Sequence, residues 1–326
     1  MIIVTGGAGF IGSNLIRGLN ETGRKDILVV DDLEQPGKFK NLVGLDFTDY
    51  LDKDEFLAQV LDGQWEDTAI EAIFHQGACS DTMEHNGKYM MDINYEYSKT
   101  LLHLCLRRGV PFLYASSASV YGNGEQGFRE DPVCEAPLNV YGFSKWHFDR
   151  YVETLLPQAE SQIVGLRYFN VFGPQENHKG RMASVAYHLF HQLKNDRTMR
   201  LFKGIDGYGD GEQRRDFIYV KDVAKVNLFF FEHLDKSGIF NCGTGQSQTF
   251  NDLAKAAQKA MGFGELEYID FPEALKGKYQ NFTEADQDKL RQIGYTAEFT
   301  SLDDAVADYY RYLQQSGGYF TREKNQ

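Results

Sequence analysis

This chain is short of positive charge, of cysteine and of long apolar runs. Against 47 acidic residues it carries 34 Lys and Arg, for a net charge of −13. That balance argues against general binding to nucleic acid or to an anionic membrane surface, because both need basic side chains to neutralise phosphates. It leaves room for one anionic small ligand in a local basic pocket. Four cysteines, Cys79, Cys105, Cys134 and Cys242, lie far apart with no Cys-x-x-Cys pair. Neither a zinc site nor a disulfide framework is expected from that spacing; buried free thiols are. No stretch of about 18 consecutive apolar residues occurs, so no transmembrane helix is expected. The opening "MIIVTGGAGFIG" is apolar but has neither a basic leader nor a cleavage site, which points to the cytoplasm.

What the chain does have is ordinary globular material. Of its 326 residues, 42% are hydrophobic and 25% charged, which suits a soluble protein with a sizeable core. Short apolar runs recur: "IIVT" (2–5), "ILVVD" (27–31), "AIFHQGA" (72–78), "PFLYASS" (111–117) and "IVGLRYFNV" (163–171). Each reads as a buried parallel strand. Helical patterns fill the gaps, as in 13–22 and 89–108. Strand and helix alternating in this way imply an α/β fold with a doubly wound, Rossmann-type parallel sheet. Beyond about 172 the texture changes, and "GIDGYGDGEQ" (204–213) is expected to be a surface loop. A strand is expected in 239–245, with helices in 251–262 and 301–317. The expected division is a dinucleotide-binding domain of 1–171 plus part of 215–262. A smaller, interleaved α/β substrate domain would take most of 172–326.

Strand "IIVT" runs directly into "GGAGFIG" and then a helix. Gly7, Gly9 and Gly12 fit G-x-G-x-x-G; Gly6, Gly9 and Gly12 fit G-x-x-G-x-x-G. Either spacing gives a tight turn, close approach of backbone to a pyrophosphate, and a helix N-terminus aimed at the anion. Asp31 and Asp32 end the second strand, where a carboxylate takes adenosine ribose hydroxyls and favours NAD. Lys38 and Lys53 follow and offer charge to a 2′-phosphate, which favours NADP.

The chemistry is expected from "YASSASVYG" (114–122) and "VYGFSKWHFDRYV" (140–152). Tyr141 and Lys145 are four apart and share one helix face. A phenol is a poor base at its ordinary pKa near 10, but neighbouring positive charge favours the phenolate, which can take a hydroxyl proton. Ser117 can hold the same hydroxyl. His75 and His178 are expected to be structural.

The order "TGGAGFIG", "SSASVYG", "YGFSK", "RYFNVFGP", "RRDFIYVKDVA" resembles the extended short-chain dehydrogenase/reductase family of nucleotide-sugar enzymes, over nearly the whole chain. The resemblance implies Ser117, Tyr141 and Lys145 as the catalytic trio. It places Gln76, Gly77, Ala78, Cys79 and Ser80 along the cofactor, with Phe10, Ile11, Val171 and Lys179, and it makes Asn94 a structural or cofactor-side residue. Family members that eliminate water carry an acidic pair where this chain has Ala118 and Ser119, so epimerisation is implied instead. With "HKGRMASVAYH" and "LKGKYQNFTEAD" added, the sequence looks like the branch that inverts carbon 6 of ADP-linked heptoses for lipopolysaccharide. That branch implies NADP, with NAD as the alternative, and a homo-oligomer such as a pentamer. It implies Lys179 as a second proton-transfer group and substrate contacts at Asn170, Arg181, His188, Arg215 and Tyr279. Arg181 departs from the small residue expected there, and 205–213 looks like an insertion. A UDP-hexose 4-epimerase and a non-catalytic dinucleotide sensor are the alternatives.

Overall fold

In the central strands, alternate residues point to opposite faces, and both faces are apolar. The computed structural model describes residues 1–273 and 280–322. Its strands are β1 (Ile2–Thr5), β2 (Ile27–Asp31), β3 (Asp49–Asp52), β4 (Ala72–His75), β5 (Phe112–Ser117), β6 (Ile163–Tyr168), β7 (Asn170–Phe172), β8 (Thr198–Phe202), β9 (Arg214–Tyr219), β10 (Gly238–Cys242), β11 (Ser247–Thr249) and β12 (Glu265–Ile269). The helices are α1 (Phe10–Glu21), α2 (Lys40–Val43), α3 (Lys53–Leu61), α4 (Gly87–Met91), α5 (Tyr97–Arg108), α6 (Val140–Leu155), α7 (Val185–Asp196), α8 (Val220–Glu232), α9 (Phe250–Met261), α10 (Asp288–Gln292) and α11 (Leu302–Ser316).

Seven strands form one parallel sheet in the order β10-β6-β5-β4-β1-β2-β3. Ile2 and Val4 pack with Leu15, Ile16 and Leu19 of α1 and with Val223, Val226 and Phe230 of α8. Ile3 faces the other way, into a core with Phe56, Val60, Leu101, Leu102, Phe148 and Val152 from α3, α5 and α6. Both faces are therefore covered, as a parallel sheet requires. The chain winds outward from β1 to β3 and then restarts at β4 on the other side of β1. That reversal opens a crevice at the carboxyl ends of β1 and β4, the place where doubly wound sheets bind ligands.

β6 and β7 split what reads in the sequence as one strand. After Tyr168 the chain leaves the large sheet, and β7 joins a three-stranded sheet in the order β11-β9-β7. A further apolar core, from α7, α9, α11 and β8, supports this region. The chain then returns to the large sheet through α8 and β10, which pairs with β6. Residues 203–213, between β8 and β9, contain neither helix nor strand. Edge strand β3, "DYLD", has no apolar run and only partial burial, so pairing to β2 makes it a strand rather than its own composition. The helical pattern of 89–108 is interrupted by a π-helical turn at Asp92–Glu96, which carries Asn94.

Candidate active site

A cavity of about 830 Å³ lies over the crevice between β1 and β4. Its floor is the glycine loop. Gly6 has φ +66°, and a Cβ there would sit 2.5 Å from the Gly77 nitrogen; one on Gly12 would sit 2.1 Å from the Gly6 oxygen. Gly6, Gly9 and Gly12 line the cavity, whereas Gly7 packs toward Val4, Val29 and Ile16. The wider spacing is thus the one that faces a ligand. α1 begins at Phe10 with no side-chain cap and no acidic residue in its first turn, so its leading N–H groups remain available to an anion. These residues fit a dinucleotide pyrophosphate.

At the adenosine end, Asp31 is largely committed within the protein. Its carboxylate accepts from Ala8 N–H at 2.8 Å, Asp32 N–H at 2.8 Å and Lys38 Nζ at 2.7 Å. Burial raises its pKa, and the Lys38 charge pulls it back. Asp32 is more open, with a longer 3.2 Å contact to Lys38. Asp32, Lys38 and Lys53 all line the cavity. Sequence spacing treats the two aspartates as equivalent; the structure makes Asp31 the anchor of the loop and Asp32 the accessible carboxylate.

Along the β4 side, Gln76, Gly77, Ala78, Cys79 and Ser80 form the wall. Asn94 does not line the cavity. It is 1% exposed, accepts from Cys79 N–H at 2.8 Å and donates to Cys79 O at 3.0 Å and Ser144 Oγ at 3.0 Å. These bonds clamp the wall to α6. His75 is likewise structural: Thr5 and Ser98 hydroxyls engage its two ring nitrogens, and burial with the nearby Lys145 charge drives it down to about 3, so it stays neutral. His178 is held down to about 4 by burial and by Lys38 and Lys179.

Ser117 ends β5, and its hydroxyl accepts from Ser119 N–H at 3.2 Å. α6 starts two residues before Gly142, capped by Asn139, whose side chain accepts from Gly142 N–H at 2.8 Å. A Cβ on Gly142 would lie 2.9 Å from Ser119 O, so glycine there lets the helix approach the β5 turn. This seats Tyr141 and Lys145 beside Ser117, all three on the cavity. Burial raises the Tyr141 phenol, and its hydrogen bond with Ser117 pulls it back. Lys145 Nζ donates to Ala115 O at 2.8 Å, and burial pushes the ammonium down to about 8, with Asp149 opposing.

The opposite wall comes from the segment after β7. Asn170, Val171, Lys179, Arg181 and Arg215 line it. Gly180 has φ +53° and kinks the turn that carries Lys179. Lys179 Nζ lies 5.1 Å from the Phe10 ring centroid, and burial lowers its pKa while Glu176 raises it. Arg181 forms a 2.9 Å ion pair with Asp81, which is also on the cavity. His188, on α7, is not among the lining residues. The expected substrate contact Tyr279 lies outside the described residues. Gln280, unexpected from the sequence, donates to Gly122 O and closes the wall near Ser119. Its only sequence signal is its place beside "KGKY".

A model of the NAD dependent epimerase/dehydratase family matches residues 2–243. The chain belongs to that family. Within it, the chain is 56% identical to an ADP-L-glycero-D-manno-heptose-6-epimerase of Brachyspira hyodysenteriae, over 98% of this chain and 99% of that one. Its structure matches that of the Helicobacter pylori ADP-L-glycero-D-manno-heptose-6-epimerase at TM-score 0.83, with 31% identity and 96% of each chain covered. A Thermotoga maritima UDP-glucose 4-epimerase solved with UDP-glucose matches at TM-score 0.80 and 27% identity, covering 97% of this chain and 99% of that one. Among the described residues no cluster of His, Cys, Asp and Glu fit for a metal occurs, and no helix is long and apolar enough to cross a membrane.

Proposed function

We propose that this family member inverts carbon 6 of an ADP-linked heptose, interconverting ADP-D-glycero-D-manno-heptose and ADP-L-glycero-D-manno-heptose, and supplies heptose for lipopolysaccharide. The 56% identity across 98% of the chain to a heptose-6-epimerase carries this reading. Relatedness to the 4-epimerase is much lower, at 27%. Ala118 and Ser119 put no carboxylate beside Ser117, which speaks against elimination of water.

A nicotinamide dinucleotide held by Gly6, Gly9, Gly12 and the start of α1 would supply hydride-transfer chemistry at the substrate carbon and a positive charge that would favour a phenolate. Ser117 orients the reacting hydroxyl, and Tyr141 takes its proton. Inversion then places the oxygen on the other side of the site. Proton transfer needs a heavy-atom separation of about 2.6–3.2 Å, so one phenol cannot serve both oxygen positions equally. Lys179 stands on a separate wall with a pKa lowered by burial, which suits a group that must give and take protons. Tyr141 and Lys179 therefore serve opposite epimers. A second role for Lys179 is favoured by its position over Phe10, at the start of α1: it would steady the cofactor.

Lys179→Met separates the two. Cofactor reduction is followed by absorbance in a single turnover from each epimer. If Lys179 is the second acid/base, one epimer still reduces the cofactor while the other slows by about 10²-fold or more. If it only holds cofactor, both slow alike and the dinucleotide is lost on gel filtration.

We also propose NADP as the cofactor, on the strength of Lys38 and Lys53 flanking Asp32 at the adenosine end of the cavity. Lys38→Met with Lys53→Met should weaken NADP binding by about 10-fold or more, on the scale of lost charge-assisted contacts, and weaken NAD far less. Titration calorimetry with each dinucleotide measures both; equal losses would favour NAD.

A further inference from the structure

A carboxamide shows a substrate either its oxygen, which accepts, or its N–H₂, which donates. Asn170 opens β7 on the cavity wall, and which end it shows is set from behind by Thr283. Thr283 is 1% exposed. Its hydroxyl accepts from Asp216 N–H at 3.0 Å and donates to Asn170 Oδ1 at 3.1 Å. A hydroxyl has a single proton to give. Turning the Asn170 amide over would take away the acceptor of a buried O–H. Among the described residues that O–H has no other hydrogen-bonded acceptor.

The support behind Thr283 is rigid. Thr283 N–H donates to Arg214 O, and Arg214 N–H donates to Asn281 O, so this segment runs along β9. Asp216 is fully buried and accepts from the N–H groups of Thr244, Gly245 and Ala285, tying the same segment to the turn after β10. Asn170 is also fixed in register, opposite Phe217 of β9. Arg215, two residues before Phe217, lines the same cavity and is a donor without acceptor capacity.

We propose that Thr283 is a positioning residue that holds Asn170 with its amide N–H₂ toward the substrate. Asn170 then offers donors at this part of the wall and selects oxygen acceptors, from either a diphosphate or a sugar. The inference rests on Asn170 being a substrate contact.

The test uses purified holoenzyme and ADP-heptose. Thr283→Val keeps the shape and removes the hydroxyl. KM should rise about 10-fold, as for one lost polar contact, with kcat within about threefold and cofactor content unchanged. Thr283→Ser, which keeps the hydroxyl, should restore KM. Thr283→Ala replaces the valine variant if that variant does not yield soluble protein. Loss of kcat and cofactor together, without rescue by serine, would assign Thr283 a merely structural role and overturn the proposal. Asn170→Asp, which replaces the donor with an acceptor, tests the reading beneath: an unchanged KM would show that Asn170 does not touch substrate. If that variant raises KM and the valine variant does not, the assignment of Thr283 fails. Competitive inhibition by ADP alone distinguishes the acceptors. A weakened ADP in Thr283→Val places Asn170 on the diphosphate; an unchanged ADP with a raised KM places it on the sugar.

Discussion

Tyr141→Phe should lower turnover by about 10²–10⁴-fold, the usual contribution of a positioned proton-transfer group. The protein should fold normally and keep its cofactor. The substitution removes one oxygen and leaves Ser117 held by the N–H of Ser119. The phenol needs its surroundings to act. Burial and, less strongly, Cys79 raise its pKa, and Lys145 gives its hydrogen bond to Ala115 O. Lys145 is thereby tied to β5, two residues before Ser117. On the proposed division of labour with Lys179, both directions of the reaction should suffer in Tyr141→Phe, because each cycle would have one step at the tyrosine side. A loss below about tenfold would remove Tyr141 from the proton-transfer role. Circular dichroism and cofactor content, measured on the same sample, separate that outcome from misfolding.

The second large effect is on stability, behind the site. Arg167 on β6 is buried with Asp149 of α6 at 2.8 Å and is also paired with Glu135. Asp149 further accepts from Tyr114 OH at 2.9 Å and Ser116 Oγ at 2.8 Å. Arg167 donates to Tyr121 OH at 3.0 Å, and Tyr121 donates to Asn241 at 2.6 Å. The cluster ties β5, β6, β10 and α6 together directly below Ser117 and Lys145. Breaking a buried pair from one side leaves an uncompensated charge and costs about 3–5 kcal/mol. Arg167→Met, which strands both Asp149 and Glu135, should lose that much, read from chemical denaturation. Adding Asp149→Leu to Arg167→Met should cost less than the sum of the single changes, because it removes one of the two carboxylates that the arginine change strands. Additive losses would mean that the pair is not energetically coupled.

Much of the site can be read from the sequence because its chemistry needs local patterns. A glycine loop must sit between strand and helix, and Tyr141 and Lys145 must be one helical turn apart. The five apolar strands are legible for the same reason, since a parallel sheet covered on both faces reads as continuous hydrophobic runs. What escapes is whatever depends on partners distant in sequence. β3 is a strand by pairing rather than by composition. The break at Phe169 that sends β7 to a second sheet lies inside a stretch, 163–171, that reads as one strand. Asp31 and Asp32 look alike in sequence, and only the positions of Ala8 and Lys38 separate them. The sequence leaves Asn94 open between a structural and a cofactor-side place, because its partners Cys79 and Ser144 are 15 and 50 residues away. Asp149 carries one readable signal, an acid four residues after Lys145 on the buried face of α6, whereas its ion pair with Arg167 depends on the sheet.

Purified protein mixed with ADP-D-glycero-D-manno-heptose in D₂O, followed by NMR, tests the central claim most directly. The expected result is conversion to the L-glycero epimer with no deuterium at carbon 6, because the hydrogen leaves and returns as hydride without meeting water. Absence of conversion, with turnover of UDP-glucose to its 4-epimer instead, would contradict the account.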